Sequence, residues 1–170
     1  MNNILTYANR GQALEELIKL QNNKYARQGI AVITKIPTEW IPIRNHTGKI
    51  VTAKVENKAT VDFLGAYKGV PIAFDAKHTK EKRISWKRLE SHQWEFLLQW
   101  EKCGGIAFIL VGWDMKQFFV IPISEWGQEG KSLLLPELQP VPFKGGLPDY
   151  LATIADWQYT KNQIQEQESV

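Results

Sequence analysis

The sequence has a single cysteine, Cys103, among 170 residues. That excludes a disulfide framework and any zinc site built from several thiolates, and it fits a reducing cytosol. No apolar run approaches the roughly 18 residues that a membrane span requires. The first residues, Met-Asn-Asn-Ile-Leu, carry neither the charged nor the apolar region of a signal peptide. There is no Walker-type phosphate loop and no G-x-S-x-G nucleophile elbow. The three histidines, His46, His78 and His92, are too scattered to form a ligand set. Cys103, beside a Gly-Gly helix stop, reads as a buried or capping thiol and not as a nucleophile. These absences lead us to expect one soluble, cytoplasmic domain over residues 1–170, with no membrane partner.

What is present excludes disorder. Hydrophobic residues make up 44% of the chain, and 7 Trp, 5 Tyr and 7 Phe supply the bulk of a core. The formal net charge of +3 conceals an uneven distribution. Residues 1–102 hold 17 Lys/Arg against 10 Asp/Glu, whereas residues 103–170 hold 4 against 8. Such asymmetry points to an anionic partner for the first part of the chain, nucleic acid among others; uneven surface charge is the plain alternative.

The element pattern is mixed. A helix is expected from Asn9, as N-cap, to Lys24, with Leu14, Leu17, Ile18 and Gln21 on one face. Strands are expected at 30–36, at 40–44 and 49–56 around Asn45-His-Thr-Gly48, and at 61–66 and 70–77 around Tyr67-Lys-Gly. A basic connection over 78–88 leads to a second helix, Ser91 to Lys102, stopped by Cys103-Gly-Gly105. Ile106-Ala-Phe-Ile-Leu-Val111 has the pattern of a strand buried on both faces, with 117–123 as its neighbour. A short helix is expected at 150–157 and a polar tail from 161. Gly11 and Gly104-Gly105 read as punctuation.

The chemistry concentrates at Asp62 and Asp75-Ala-Lys77. A two-residue loop at Lys68-Gly69 puts Asp62 opposite Asp75 on one sheet face, and Lys77 shares that face two residues on. A bulge would reverse the facing. Opposed carboxylates repel across a ladder, and apolar neighbours raise the cost. A lysine relieves this in part; a divalent cation relieves it fully, and Mg²⁺ suits one or two carboxylates completed by water and phosphate oxygens. Two solvent-facing aspartates and a surface lysine remain the plain reading. Lys80, Lys82, Arg83, Lys87 and Arg88 surround Trp86, which suits a phosphate backbone with a stacking or wedge contact, or equally a solvated loop. The hairpin with Arg44, Lys49, Lys54 and Lys58 suits nucleic acid or a lysine-guarded sheet edge. Glu15 sits where the first helix could point it over the sheet and Gln93 opens the second helix, although Glu15 also reads as a surface acid compensating the helix dipole and Gln93 as a solvated first-turn residue.

These residues resemble the RecU-type Holliday-junction resolvases. The resemblance rests on Tyr7-Ala-Asn-Arg-Gly11 with Leu14-Glu15, Thr60-Val-Asp62, Gly65-x-Tyr67-x-Gly69, Asp75-Ala-Lys77-x-Thr79-Lys80, His92-Gln93 and Pro148-Asp-Tyr-Leu151. It implies an α/β, restriction-endonuclease-like core of the PD-(D/E)xK superfamily with a protruding basic stalk at about 41–57. It further implies a homodimer that resolves four-way DNA junctions in recombination and repair, with Mg²⁺ or Mn²⁺, and recombinase and branch-migration proteins as partners. Asp62 and Asp75 would bind metal, with the Ala76 carbonyl completing the site, and Lys77 would orient the attacking water. Glu15, Gln93 and Thr60 would support them, and Arg10 would join the DNA-binding set. Asp75 stands where the family usually has Glu, and the N-terminal segment and stalk are short. A nuclease of the same core acting on duplex or flapped DNA, and a non-catalytic DNA-binding module, are the alternatives.

Overall fold

The apolar run at 106–111 needs cover on both sides, and the chain supplies it with helices before and after. The computed structural model describes residues 7–57, 59–126 and 132–157. In chain order these form α1 (Tyr7–Arg27), β1 (Ala31–Lys35), β2 (Glu39–Arg44), β3 (Ile50–Asn57), β4 (Phe63–Tyr67), β5 (Val70–Thr79) and β6 (Arg83–Ser85). Then come α2 (Ser91–Lys102), β7 (Ile106–Trp113), β8 (Gln117–Pro122), β9 (Ser132–Leu134), β10 (Phe143–Lys144), β11 (Leu147–Pro148) and α3 (150–157).

Five strands make the central sheet in the order β1-β4-β5-β7-β8. β5 and β7 are parallel because α2 returns the chain between them; the other pairs are antiparallel. One face buries Leu14 and Ile18 of α1 and Tyr150, Leu151 and Ile154 of α3 against Phe63, Phe74 and Phe108. Those three rings stack across β4, β5 and β7 at centroid distances of 4.9 and 4.6 Å. The opposite face buries Leu97 of α2 with Ala73, Ile109, Val111 and Trp126. Oδ1 of the buried Asn22 of α1 accepts from the Tyr150 hydroxyl, which ties α1 to α3.

β2 and β3 form a separate antiparallel hairpin whose residues 42–44 and 46–54 are all exposed, as expected of a stalk. Asn45 Oδ1 closes its turn by accepting from the Thr47 and Lys49 backbone N–H groups, each at 3.0 Å.

The expected helix Ser91–Lys102 has those bounds in the structure. The expected start of α1 is displaced: Asn9 and Gly11 lie within the helix, which is already formed at Tyr7. Twenty-one residues packed on a sheet tolerate an interior glycine costing about 1 kcal/mol. Cys103 is exposed at the C-cap of α2, not buried. Lys58 and the expected tail from 161 lie outside the described residues. Among the described residues, no helix is long and apolar enough to cross a membrane.

Candidate active site

The β4–β5 hairpin determines which side chains meet. Lys68 and Gly69 both have positive φ, 48° and 81°. That is the backbone of a type I′ turn, whose twist matches the flanking strands. Gly65 is needed in β4 for a different reason: a Cβ there would stand 2.1 Å from the Val32 carbonyl oxygen of β1. With the turn so closed, Phe63 faces Phe74, and the next residues outward are Asp62 and Asp75. The expected register holds without a bulge.

Asp62 is clamped on two sides. Its Oδ2 accepts from the Ala76 N–H at 2.9 Å, and its carbonyl accepts from the Ile36 N–H at 2.8 Å. Asp75 is fully buried. Its Oδ1 accepts from Gln93 Nε2 at 2.8 Å. Lys77 Nζ lies 2.6 Å from the buried Asp75 Oδ2 and is ion-paired with it. Burial, reinforced by the Asp62 charge, pushes the Asp75 carboxyl up to about 7 against the opposing pull of Lys77.

Gln93 is brought in by the start of α2. It is the third residue of that helix, and its Oε1 accepts from the Glu90 N–H at 3.1 Å, as in a capping box. The same oxygen lies 3.4 Å from Lys77 Nζ. One amide therefore joins the helix N-terminus to both Asp75 and Lys77.

Glu15 of α1 is ion-paired with Lys35, the last residue of β1. Lys35 precedes Ile36, whose N–H holds Asp62, so the end of β1 touches two of the candidate acids. Sequence reasoning passed over Lys35; its one signal was a cation closing a strand whose inward positions, Ala31 and Ile33, are apolar. Among the described residues, no three His, Cys, Asp or Glu side chains are gathered closely enough to hold a metal unaided. Two carboxylates that repel one another, one of them buried and only partly compensated by Lys77, do fit a cation completed by water and phosphate oxygens.

The cationic residues fall into separate groups. Arg44, Lys49 and Lys54 lie on the stalk, where Arg44 Nη1 donates to the Gly48 carbonyl at 2.9 Å. Lys80, Lys82, Arg83, Lys87 and Arg88 follow β5 and are exposed. Arg10 and Lys80 face His78 electrostatically. His78 itself is buried, with no partner for Nδ1, and burial, then the Arg10 charge, lowers its pKa. Trp86 is half-buried and packed on one side. Its ring packs edge-on against Trp126 at 4.9 Å, and its indole nitrogen is buried.

The family described as RecU, Recombination protein U, matches residues 9–132. A Holliday junction resolvase RecU of Streptococcus pneumoniae (strain Hungary19A-6) is 38% identical over 117 residues, covering 65% of this chain and 59% of that protein. The chain thus spans about three-fifths of the pneumococcal relatives' length. A Holliday junction resolvase RecU of Streptococcus sanguinis (strain SK36) is 32% identical over 149 residues, covering 80% of this chain and 74% of its own. Among solved structures, Archaeoglobus fulgidus Hjc, a Holliday junction resolvase from an archaeal hyperthermophile, matches with a TM-score of 0.50 at 12% identity. It covers 78% of this chain and 92% of Hjc. That likeness identifies the fold as the expected restriction-endonuclease-like core.

Proposed function

The chain belongs to the RecU family, and from that premise we propose that it cuts four-way DNA junctions by hydrolysing phosphodiester bonds, as a homodimer and with Mg²⁺ or Mn²⁺. The observation that carries this reading is the meeting of Asp62, Asp75 and Lys77 around a buried carboxylate held by Gln93. A homodimer would match the two-fold symmetry of a junction with two such sites.

Asp62 and Asp75 would hold the cation, with the Ala76 carbonyl as a further oxygen. When bound, the cation supplies Lewis acidity at the scissile phosphate and lowers the pKa of a bound water. The protein's own groups do the rest. Gln93 keeps the Asp75 carboxylate and the Lys77 ammonium at fixed separation. Lys77 orients the attacking water and stabilises charge developing on the phosphate oxygens. Glu15 and Lys35 brace the end of β1 behind Asp62. Arg10, Lys80, Lys82, Arg83 and Lys87 would neutralise phosphates beside the cut, and the stalk cations Arg44, Lys49 and Lys54 would engage the junction's centre.

A cleavage assay on a four-way junction and on matched linear duplex, with and without Mg²⁺, tests the reading. Junction nicking that requires Mg²⁺, together with an Asp75→Ala variant that binds but does not cut, is expected. Equal cutting of both DNAs would indicate a duplex nuclease instead, and no scission under any condition a non-catalytic DNA-binding module.

A further inference from the structure

The basic connection between β5 and α2 is not a slack loop. Three successive carbonyls at the exit of β5 each accept a hydrogen bond from elsewhere in the fold. Arg88 Nη2 donates to His78 O at 2.9 Å, the Asp114 N–H to Thr79 O at 2.8 Å, and Trp113 Nε1 to Lys80 O at 3.2 Å. Farther along, Lys82 O accepts from the Leu135 N–H at 2.9 Å, β6 pairs with β9, and Trp86 O accepts from Trp126 Nε1 at 3.2 Å. Lys80, Lys82, Arg83 and Lys87 project from this framework into solvent. The strip is therefore an ordered row of cations, which binds phosphates without first losing the entropy of a loose segment.

Arg88 has a different part. Its bond to His78 O spans 10 residues and closes the strip on itself. The two ends it joins adjoin residues that act in the reading above: Lys77 precedes His78, and Gln93 follows five residues after Arg88. A charge-assisted guanidinium–carbonyl bond is a strong tie, and it engages the next-to-last residue of the strand that carries Asp75 and Lys77.

We propose that Arg88 is a positioning residue, tying the phosphate-binding strip Lys80–Lys87 to the exit of β5 so that DNA held on the strip fixes the placement of Lys77 and Asp75. This rests on the junction-cutting reading, and it removes Arg88 from the residues that contact phosphate.

The test separates binding from turnover. Junction binding is measured in EDTA over a range of salt, and single-turnover cutting is measured at saturating DNA with Mg²⁺. Arg88→Met is expected to cut about tenfold or more slowly at saturation, as misplacement of catalytic groups does, while its salt dependence of binding stays that of the wild type. Lys87→Met is expected to lower the slope of log K against log salt by about 0.9, the contribution of one duplex phosphate contact. Should Arg88→Met fail to fold, Arg88→Lys replaces it; this keeps the charge without the planar fork, and the same loss of rate is expected. Amide exchange at 78–80 should quicken in either variant. The inference is overturned if Arg88→Met lowers the salt slope by about 0.9 and cuts at the wild-type rate when saturated. A wild-type protein that neither binds nor cuts junctions would instead overturn the functional reading, and exchange at 78–80 would still decide whether the tie exists.

Discussion

At the scale of single residues, the most telling group is Asp75. Its carboxyl is pushed up to about 7 by burial and by Asp62, whereas in an unfolded chain it titrates near 4. The unfolded state therefore gives up this proton at lower pH than the folded state does. The stability associated with Asp75 is complete below about pH 4 and is lost as pH rises through about 7. Without metal, Asp75→Asn should be more stable than the wild type at pH 8, by an order of 2 kcal/mol, with the advantage shrinking toward pH 5. Urea titrations at both pH values in EDTA would check this, and a less stable variant at pH 8 would contradict it. Gln93 makes the opposite case. Gln93→Leu leaves Asp75 Oδ1 buried without its donor and the Glu90 N–H without its acceptor. A loss of about 1–3 kcal/mol follows, visible as a lower urea midpoint, and cutting should fall with it.

At the scale of elements, the turn and the strands around it govern the site. Gly65 lies so close to β1 that Gly65→Ala must push the two strands apart. We expect a loss of about 1–3 kcal/mol in thermal or urea melts, the usual range for an overpacked site. A variant as stable as the wild type would mean that β1 moves aside freely. This region also shows what was legible in the sequence. A two-residue turn with glycine sets a register by chain geometry alone, so the meeting of Asp62 with Asp75 could be read directly. The second helix was legible because its apolar period and its Gly-Gly stop are local. The partners of Glu15, Trp86 and Arg88 were not. Lys35, Trp126 and the His78 carbonyl reach them through the tertiary fold, and such contacts leave no periodic mark on the chain. The helix start at Asn9 was misplaced because a good capping residue also tolerates a helix interior when packing dominates propensity.

At the scale of the whole molecule, charge and cation binding should appear in global stability. A ligand that binds only the folded state adds about 2.7 kcal/mol at a hundred times its Kd. Mg²⁺ and Mn²⁺ should therefore raise the wild-type Tm in a dose-dependent way and leave Asp62→Asn nearly unmoved, which a thermal-shift titration would show. Equal shifts in both proteins would place the cation elsewhere. The contacts that assemble the candidate site span only 14, 16 and 18 residues, from Asp62 to Ala76, Lys77 to Gln93 and Asp75 to Gln93. Their loop-closure cost is correspondingly small. Contacts between α1 and α3, by comparison, close more than a hundred residues, with the Leu151 N–H donating to the Tyr25 hydroxyl oxygen across 126. The segment that carries the candidate site thus has low contact order compared with the α1–α3 contacts, and low contact order speeds folding. The carboxylates can be drawn together before the two ends dock, so their repulsion is met early in folding, when the central strands are least supported.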